Sequence, residues 1–222
     1  MCGRFILVTD LSEVAREFDI PHVPFSFAPD PNIAPGRQIP ALVASGGGYE
    51  LASFLWGLIP FWAKDPSIGA GLINAGAETV AQKPSFKNAF RHRRCLIPAD
   101  GFYEWKKEGS KKIPYCFSLK SGALLYFAGL YEKWTGPDKK QIASCTIITT
   151  GANSLVATVH DRMPVIVDRD DIPVWLDPGL SDFEVLKRYL RPYDGEGLQA
   201  TPVSTYVSNS QNEGPDCIQA AN

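Results

Sequence analysis

The sequence lacks paired cysteines. Its 222 residues hold five, Cys2, Cys95, Cys116, Cys145 and Cys217, with no C-x-x-C pair among them. An odd, scattered set argues against a disulfide framework and against a structural zinc site, and it fits a reducing compartment. Cationic excess is lacking too. Lys and Arg number 22 against 24 Asp and Glu, a formal net charge of −2. Bulk charge therefore gives no long-range pull toward nucleic acid or an anionic membrane, and such a partner has to be held by a local patch. No apolar run approaches a membrane span, and no basic segment leads into an apolar run as a signal peptide does; a cytoplasmic protein is expected, with no membrane contact. A phosphate-cradling glycine motif is missing, because SGGG (45–48) lacks the Lys-Ser/Thr ending and reads as a turn. Metal-ligand clustering is absent as well, so neither metal nor cofactor is expected.

What is present is an ordinary globular composition, 45% apolar and 21% charged, in a chain long enough to bury a core. GRFILV (3–8) reads as a short strand and TDLSEVAREF (9–18) as a helix capped by Thr9 or Asp10. The proline-rich segment 20–36 reads as a long loop. IPALVA, SGGG and YELASFLW read as a hairpin, and the glycine- and aromatic-rich stretch 57–80 as a functional loop. A short helix is expected over 83–94, with Pro84 in its first turn. CLIPADGFYEWKK (95–107) and IPYCFSL (113–119) read as a hairpin with a basic tip. Strands follow over 123–134 and 141–150, then one or two helical turns at 152–159. SDFEVLKRYL (181–190) carries a capping box, Ser181 with Glu184. The tail from about residue 194 looks irregular, with one strand at TPVSTYV. The expectation is one α+β domain over 1–222, dominated by antiparallel, barrel-like β-sheet with a few short helices.

Several residues carry chemistry. Cys2 stands directly behind Met1, which is normally trimmed before a small residue. Trimming would expose an α-amine with a pKa of about 7.7–8.0 next to a thiol of about 8.5. Such a 1,2-aminothiol condenses with an aldehyde to an imine and then closes a thiazolidine ring. The plainer reading is a chance cysteine near a frayed terminus, which the strand-like GRFILV weakens. His160, one of three histidines, sits in VHDRMP and is the best proton carrier near pH 7. Strand alternation groups Glu104 with Phe102, and Tyr103 with Trp105; the acid is read either as partly buried, with a raised pKa, or as a surface group. Asn74, in LINAGAET, reads as a turn residue or as a hydrogen-bonding partner beside a reacting centre. Basic positions are local: Arg4, Arg37, the run 91–94, Lys106-Lys107, Lys111-Lys112 and Arg162. Trp56, Phe61 and Trp62 offer flat faces for an unpaired base, or else belong to the core.

Taken together, MCGRF, NIAP (32–35), WGLIPFWA (56–63), INAGAET (73–79), PADGFYEWKK (98–107) and HDRMPVIV (160–167) resemble the SRAP family, the SOS-response-associated peptidases. The resemblance covers roughly the first three quarters of the chain. It implies a monomeric shield for abasic sites in single-stranded DNA, associated with the nucleoid when bound. Met1 is removed, and Cys2 crosslinks to the ring-opened sugar as a thiazolidine, a lyase-like activity in a family named for peptidase action. By the same resemblance Glu104 and His160 assist ring opening and proton transfer, Asn74 sets the reacting groups, Arg4 and Arg162 hold the DNA backbone, and Trp62 wedges against bases. One departure stands out: Gly76 occupies the place of a family arginine expected to grip phosphate. Phe61, where a smaller or polar residue is common, is a second. Two other readings stay open, a cysteine peptidase using Cys2 and His160 and a non-covalent reader of damaged DNA.

Overall fold

The structure, a computed structural model, describes residues 2–221. In chain order it runs β1 (Phe5–Leu7), α1 (Leu11–Glu17), β2 (Asp30–Ile33), β3 (Gln38–Ser45), β4 (Gly48–Trp56), β5 (Asn74–Gly76), α2 (Lys87–His92), β6 (Arg94–Ala99), β7 (Gly101–Glu108), β8 (Lys111–Leu119), β9 (Leu125–Thr135), β10 (Gln141–Gly151), β11 (Arg162–Pro164), α3 (Ile172–Leu176), α4 (Phe183–Leu186) and β12 (Leu198–Pro202).

Two sheets result. β4, β3, β6 and β9 pair antiparallel in that order. β10 then pairs antiparallel with β9 and parallel with β4, which closes a five-stranded barrel. β5 and β11 attach to the far end of β10. The second sheet has the order β12-β8-β7-β1-β2. The architecture is the expected α+β one, antiparallel and barrel-like with short helices. Aromatic rings join the two sheets: Phe5 of β1 meets Trp56 at 5.3 Å and Phe127 at 6.0 Å, edge-on, and Phe102 of β7 meets Phe127 edge-on at 6.0 Å. Each such pair adds about 0.5–1.5 kcal/mol beyond the area it buries.

Local chemistry explains where the elements begin and end. Asp10 caps α1 by accepting from the Ser12 amide at 2.7 Å. Gly46 and Gly47, both at positive φ, turn β3 into β4. The run CLIPADGFYEWKK is two strands rather than one. Asp100 breaks it, accepting from the Val8 amide at 2.6 Å and from Thr9 N and Oγ1 at 2.9 and 2.6 Å. Gly101 follows, where a Cβ would lie 2.7 Å from the Phe117 carbonyl oxygen.

Other expectations are corrected. Segment 20–36 contains β2, an edge strand and so a place where Pro31 is tolerated. The stretch 57–80 contains a 3-10 turn (Pro66–Gly71) and β5, whose partner strand is distant in sequence. The helix over 83–94 shrinks to Lys87–His92, and Arg94 opens a strand. α4 is capped by Asp182, whose side chain accepts from the Glu184 amide at 2.8 Å, in place of Ser181. In TPVSTYV the strand ends at Pro202 and Thr205–Ser208 forms a 3-10 turn. Among the described residues no helix is long and apolar enough to cross a membrane.

Candidate active site

Residue 2 enters the site because β1 is clamped on both sides. Phe5 pairs with Ile33 of β2 and with Phe102 of β7, and the Tyr103 amide donates to the Arg4 carbonyl at 3.0 Å. This carries Cys2 inward, where it has no solvent exposure. β5 holds it from the other side. Parallel pairing with β10 places Asn74 opposite Ile147, and Asn74 Nδ2 donates to the Cys2 carbonyl at 3.0 Å and to the Ile73 carbonyl at 2.8 Å. Asn74 Oδ1 is buried and, among the described residues, has no hydrogen-bond partner.

Glu104, on β7, is 3% exposed. Burial pushes its carboxyl up to about 8, and the charge of Asp161 adds to the rise. The carboxylate in turn registers at Cys2: burial raises the thiol first, and Glu104 raises it further. Glu104 Oε2 lies 3.9 Å from His160 Nε2. His160 precedes β11 and accepts from the Arg162 amide through Nδ1 at 3.0 Å. The proton of the neutral ring is thereby assigned to Nε2, the nitrogen facing Glu104. Burial holds the imidazole below its ordinary value. Near neutral pH both groups favour their uncharged forms, a protonated carboxyl beside a neutral imidazole.

A cleft of about 570 Å³ opens over this pair, lined among the described residues by Arg4, Glu104, Trp105, Lys107, Lys112, His160, Thr205 and Ser208. Arg4 is committed within the protein. Its Nη1 donates to Asn32 Oδ1 at 2.6 Å and to the Val207 carbonyl at 2.9 Å, and its guanidinium lies 5.7 Å from the Trp105 ring centre. Asn32, in turn, donates through Nδ2 to the Asn209 and Asn212 carbonyls at 3.0 and 2.8 Å. The segment after β12 thus forms one wall of the cleft, and Ser208 Oγ accepts from Trp105 Nε1 at 3.0 Å.

Four expected residues, Cys2, Asn74, Glu104 and His160, converge, and Arg4 borders them. Arg162 adjoins through its amide, while its guanidinium forms a two-point ion pair with Glu78 at 2.6 and 3.1 Å and donates to the Thr149 carbonyl at 2.7 Å. Gly76 lies beside that pair: a Cβ there would stand 3.1 Å from Glu78 Oε2 and 3.7 Å from Arg162 Nη2. Trp62 is 47% exposed and Phe61 56%. Their loop is pinned by Trp134 Nε1 donating to the Ala63 carbonyl at 2.7 Å and by the Ile59 amide donating to Ser144 Oγ at 2.8 Å. Trp56, considered above as a stacking face, is core, 1% exposed, with Nε1 donating to the Ile73 carbonyl. Arg94, grouped above with a basic run, is buried and donates to five backbone carbonyls.

Asn32 and the cleft wall at Thr205 and Ser208 escaped sequence reasoning. Nothing local links Asn32 to a segment 177 residues later. Lys107 and Lys112 were visible only as part of a basic tip, although the two-residue turn Gly109-Ser110 sets them opposite each other.

The family model described as SOS response associated peptidase (SRAP) matches residues 1–210. The chain is 43% identical over 223 residues to the abasic site processing protein YoqW of Bacillus subtilis (strain 168), covering 99% of this chain and all of that one. It is 32% identical to the abasic site processing protein HMCES of Xenopus tropicalis, over 87% of this chain and 67% of that one. A crystal structure of a Bacteroides thetaiotaomicron protein superposes with a TM-score of 0.91 at 27% identity, covering both chains fully. With its barrel, its strand-held Cys2 and a match over nearly its full length, this chain belongs to the SRAP family.

Proposed function

We propose that this protein captures abasic sites in single-stranded DNA covalently through Cys2 after loss of Met1, a residue outside those described. The observation that carries the reading is the setting of residue 2: buried, held at its carbonyl by Asn74, in a site it shares with Glu104, whose charge is felt at the thiol. Relatives named as abasic site processing proteins support it.

An abasic sugar is a cyclic hemiacetal. Opening it passes the hemiacetal hydroxyl proton to a base while the ring oxygen gains a proton. A protonated Glu104 can supply both transfers, giving its proton to the ring oxygen and taking the hydroxyl proton on its other oxygen, while the His160 Nε2–H donates a hydrogen bond beside it. The Cys2 amine adds to the freed aldehyde, and the carbinolamine loses water to give an imine. The thiol sulfur then attacks the imine carbon and the thiol proton passes to nitrogen. One aldehyde, one amine and one thiol become one thiazolidine and one water. Asn74 Oδ1, an acceptor without a partner among the described residues, is suited to orient the residue-2 amine. Arg4, Arg162 and Trp62 serve the strand around the lesion. A conventional thiol protease is less well supported, since burial favours the un-ionised thiol and a depressed His160 disfavours a thiolate–imidazolium pair.

Intact mass of the protein mixed with an abasic oligonucleotide tests the reading. The expected product is the protein without Met1 plus the oligonucleotide minus one water. Cys2→Ala, or one unremovable residue placed before Cys2, should abolish it. A stable adduct from Cys2→Ala would overturn the mechanism.

A further inference from the structure

We infer that Lys107 and Lys112 form a binding site for backbone phosphate of the strand seated in the cleft, an inference that rests on the reading above that the strand is single-stranded DNA. The two residues face each other across the β7–β8 hairpin in direct register. Like charges so placed cost stability. Both side chains line the cleft above Glu104 and His160, and the charge of Lys107 is felt at the imidazole.

The neighbouring Lys106 is neutralised by Glu108 at 2.8 Å. Among the described residues neither Lys107 nor Lys112 has a carboxylate partner. The other cations nearby are committed: Arg4 to Asn32 and the Val207 carbonyl, Arg162 to Glu78. Gly76 contributes no side chain at the place where the family resemblance calls for an arginine. In a chain of net charge −2, this opposed pair adds to the cleft two cations that no carboxylate among the described residues neutralises. A phosphate between the two ammonium groups would turn their repulsion into two attractive contacts.

The test is salt-dependent binding of an intact, non-abasic single-stranded oligonucleotide, read by fluorescence anisotropy. Replacing both residues (Lys107→Gln with Lys112→Gln) should lower the log–log salt slope by about 0.7, one phosphate's worth for a single strand, so the affinity loss between about 50 and 200 mM salt shrinks about 2.6-fold. Lys106→Gln should leave the slope in place. Lys112→Glu should weaken binding while raising the melting temperature, because it converts a like-charged pair into an opposite one. A double variant with the wild-type slope, or a loss matched by Lys106→Gln, overturns the inference. The covalent reading is judged separately, by the wild-type adduct mass on an abasic oligonucleotide, so either can fail without the other.

Discussion

Glu104 Oε2 and His160 Nε2 stand 3.9 Å apart, with burial raising the acid and lowering the base. One low-dielectric setting thus drives both groups toward neutrality, and the two directions follow from one cause: each loses hydration of its charged form.

The raised Glu104 pKa has a signed consequence for stability. Between its ordinary value of 4.5 and about 8, the folded carboxyl keeps a proton that the unfolded one has lost. The native state binds more protons in that window, so stability falls as pH rises through it. Glu104→Gln should remove this component. Urea unfolding from about pH 5 to about pH 9 should find the wild type losing stability relative to the variant. A constant difference would mean that Glu104 titrates normally. Capture should also slow in Glu104→Gln at neutral pH, with binding of intact DNA retained.

Gly76→Arg restores a cation beside the Arg162–Glu78 pair. The new side chain competes for Glu78, whose Oε2 lies 3.1 Å from the Cβ position. Anisotropy titrations should give tighter binding of single-stranded DNA and a salt slope steeper by about 0.7 per added phosphate contact. An unchanged slope would indicate that position 76 does not face the strand.

Asn32→Ala should cost about 2–3 kcal/mol in chemical denaturation, because it leaves part of Arg4 and two tail carbonyls without partners. It should also loosen the Arg4 wall of the cleft, so capture should fall even where the protein remains folded. A variant as stable as the wild type would show that solvent replaces these bonds.

Gly129→Ala tests the barrel. A Cβ there would overlap Ile97 Cδ1 and approach Cys95 Sγ at 2.9 Å and the Thr146 carbonyl oxygen at 3.0 Å. Overpacking of this kind costs about 1–3 kcal/mol, to be read as a lower melting temperature. A neutral result would reveal slack between β6 and β9.

Much of this was legible from local pattern. The β3–β4 hairpin follows from alternation around Gly46-Gly47, and α1 from Asp10 and its apolar face. The motif order brought Cys2, Asn74, Glu104 and His160 to attention before any geometry was known. Hidden from the sequence were the features made by distant pairing. β5 is three residues long and exists only because β10 receives it. Arg94, in a run of cations that looks solvated, is drawn inward by carbonyls of one remote segment, 175–180, as well as those of Phe90 and Arg91 in the preceding helix. Asn32 looked like part of a loop and is the knot between β2, Arg4 and the tail. Periodicity reports which face a residue takes, and it carries no information on which remote backbone will meet that face.

The parallel seat of β5 on β10 has a kinetic corollary. Hairpins such as β3–β4, β7–β8 and β9–β10 join neighbours in sequence and form early, whereas β5 must wait for a strand about seventy residues downstream to be in place. Asn74, which donates to the Cys2 carbonyl, is therefore expected to reach its place late during renaturation. In a stopped-flow experiment, circular dichroism should recover first and competence for capture afterwards, so partly folded chains would carry the aminothiol but lack the means to aim it.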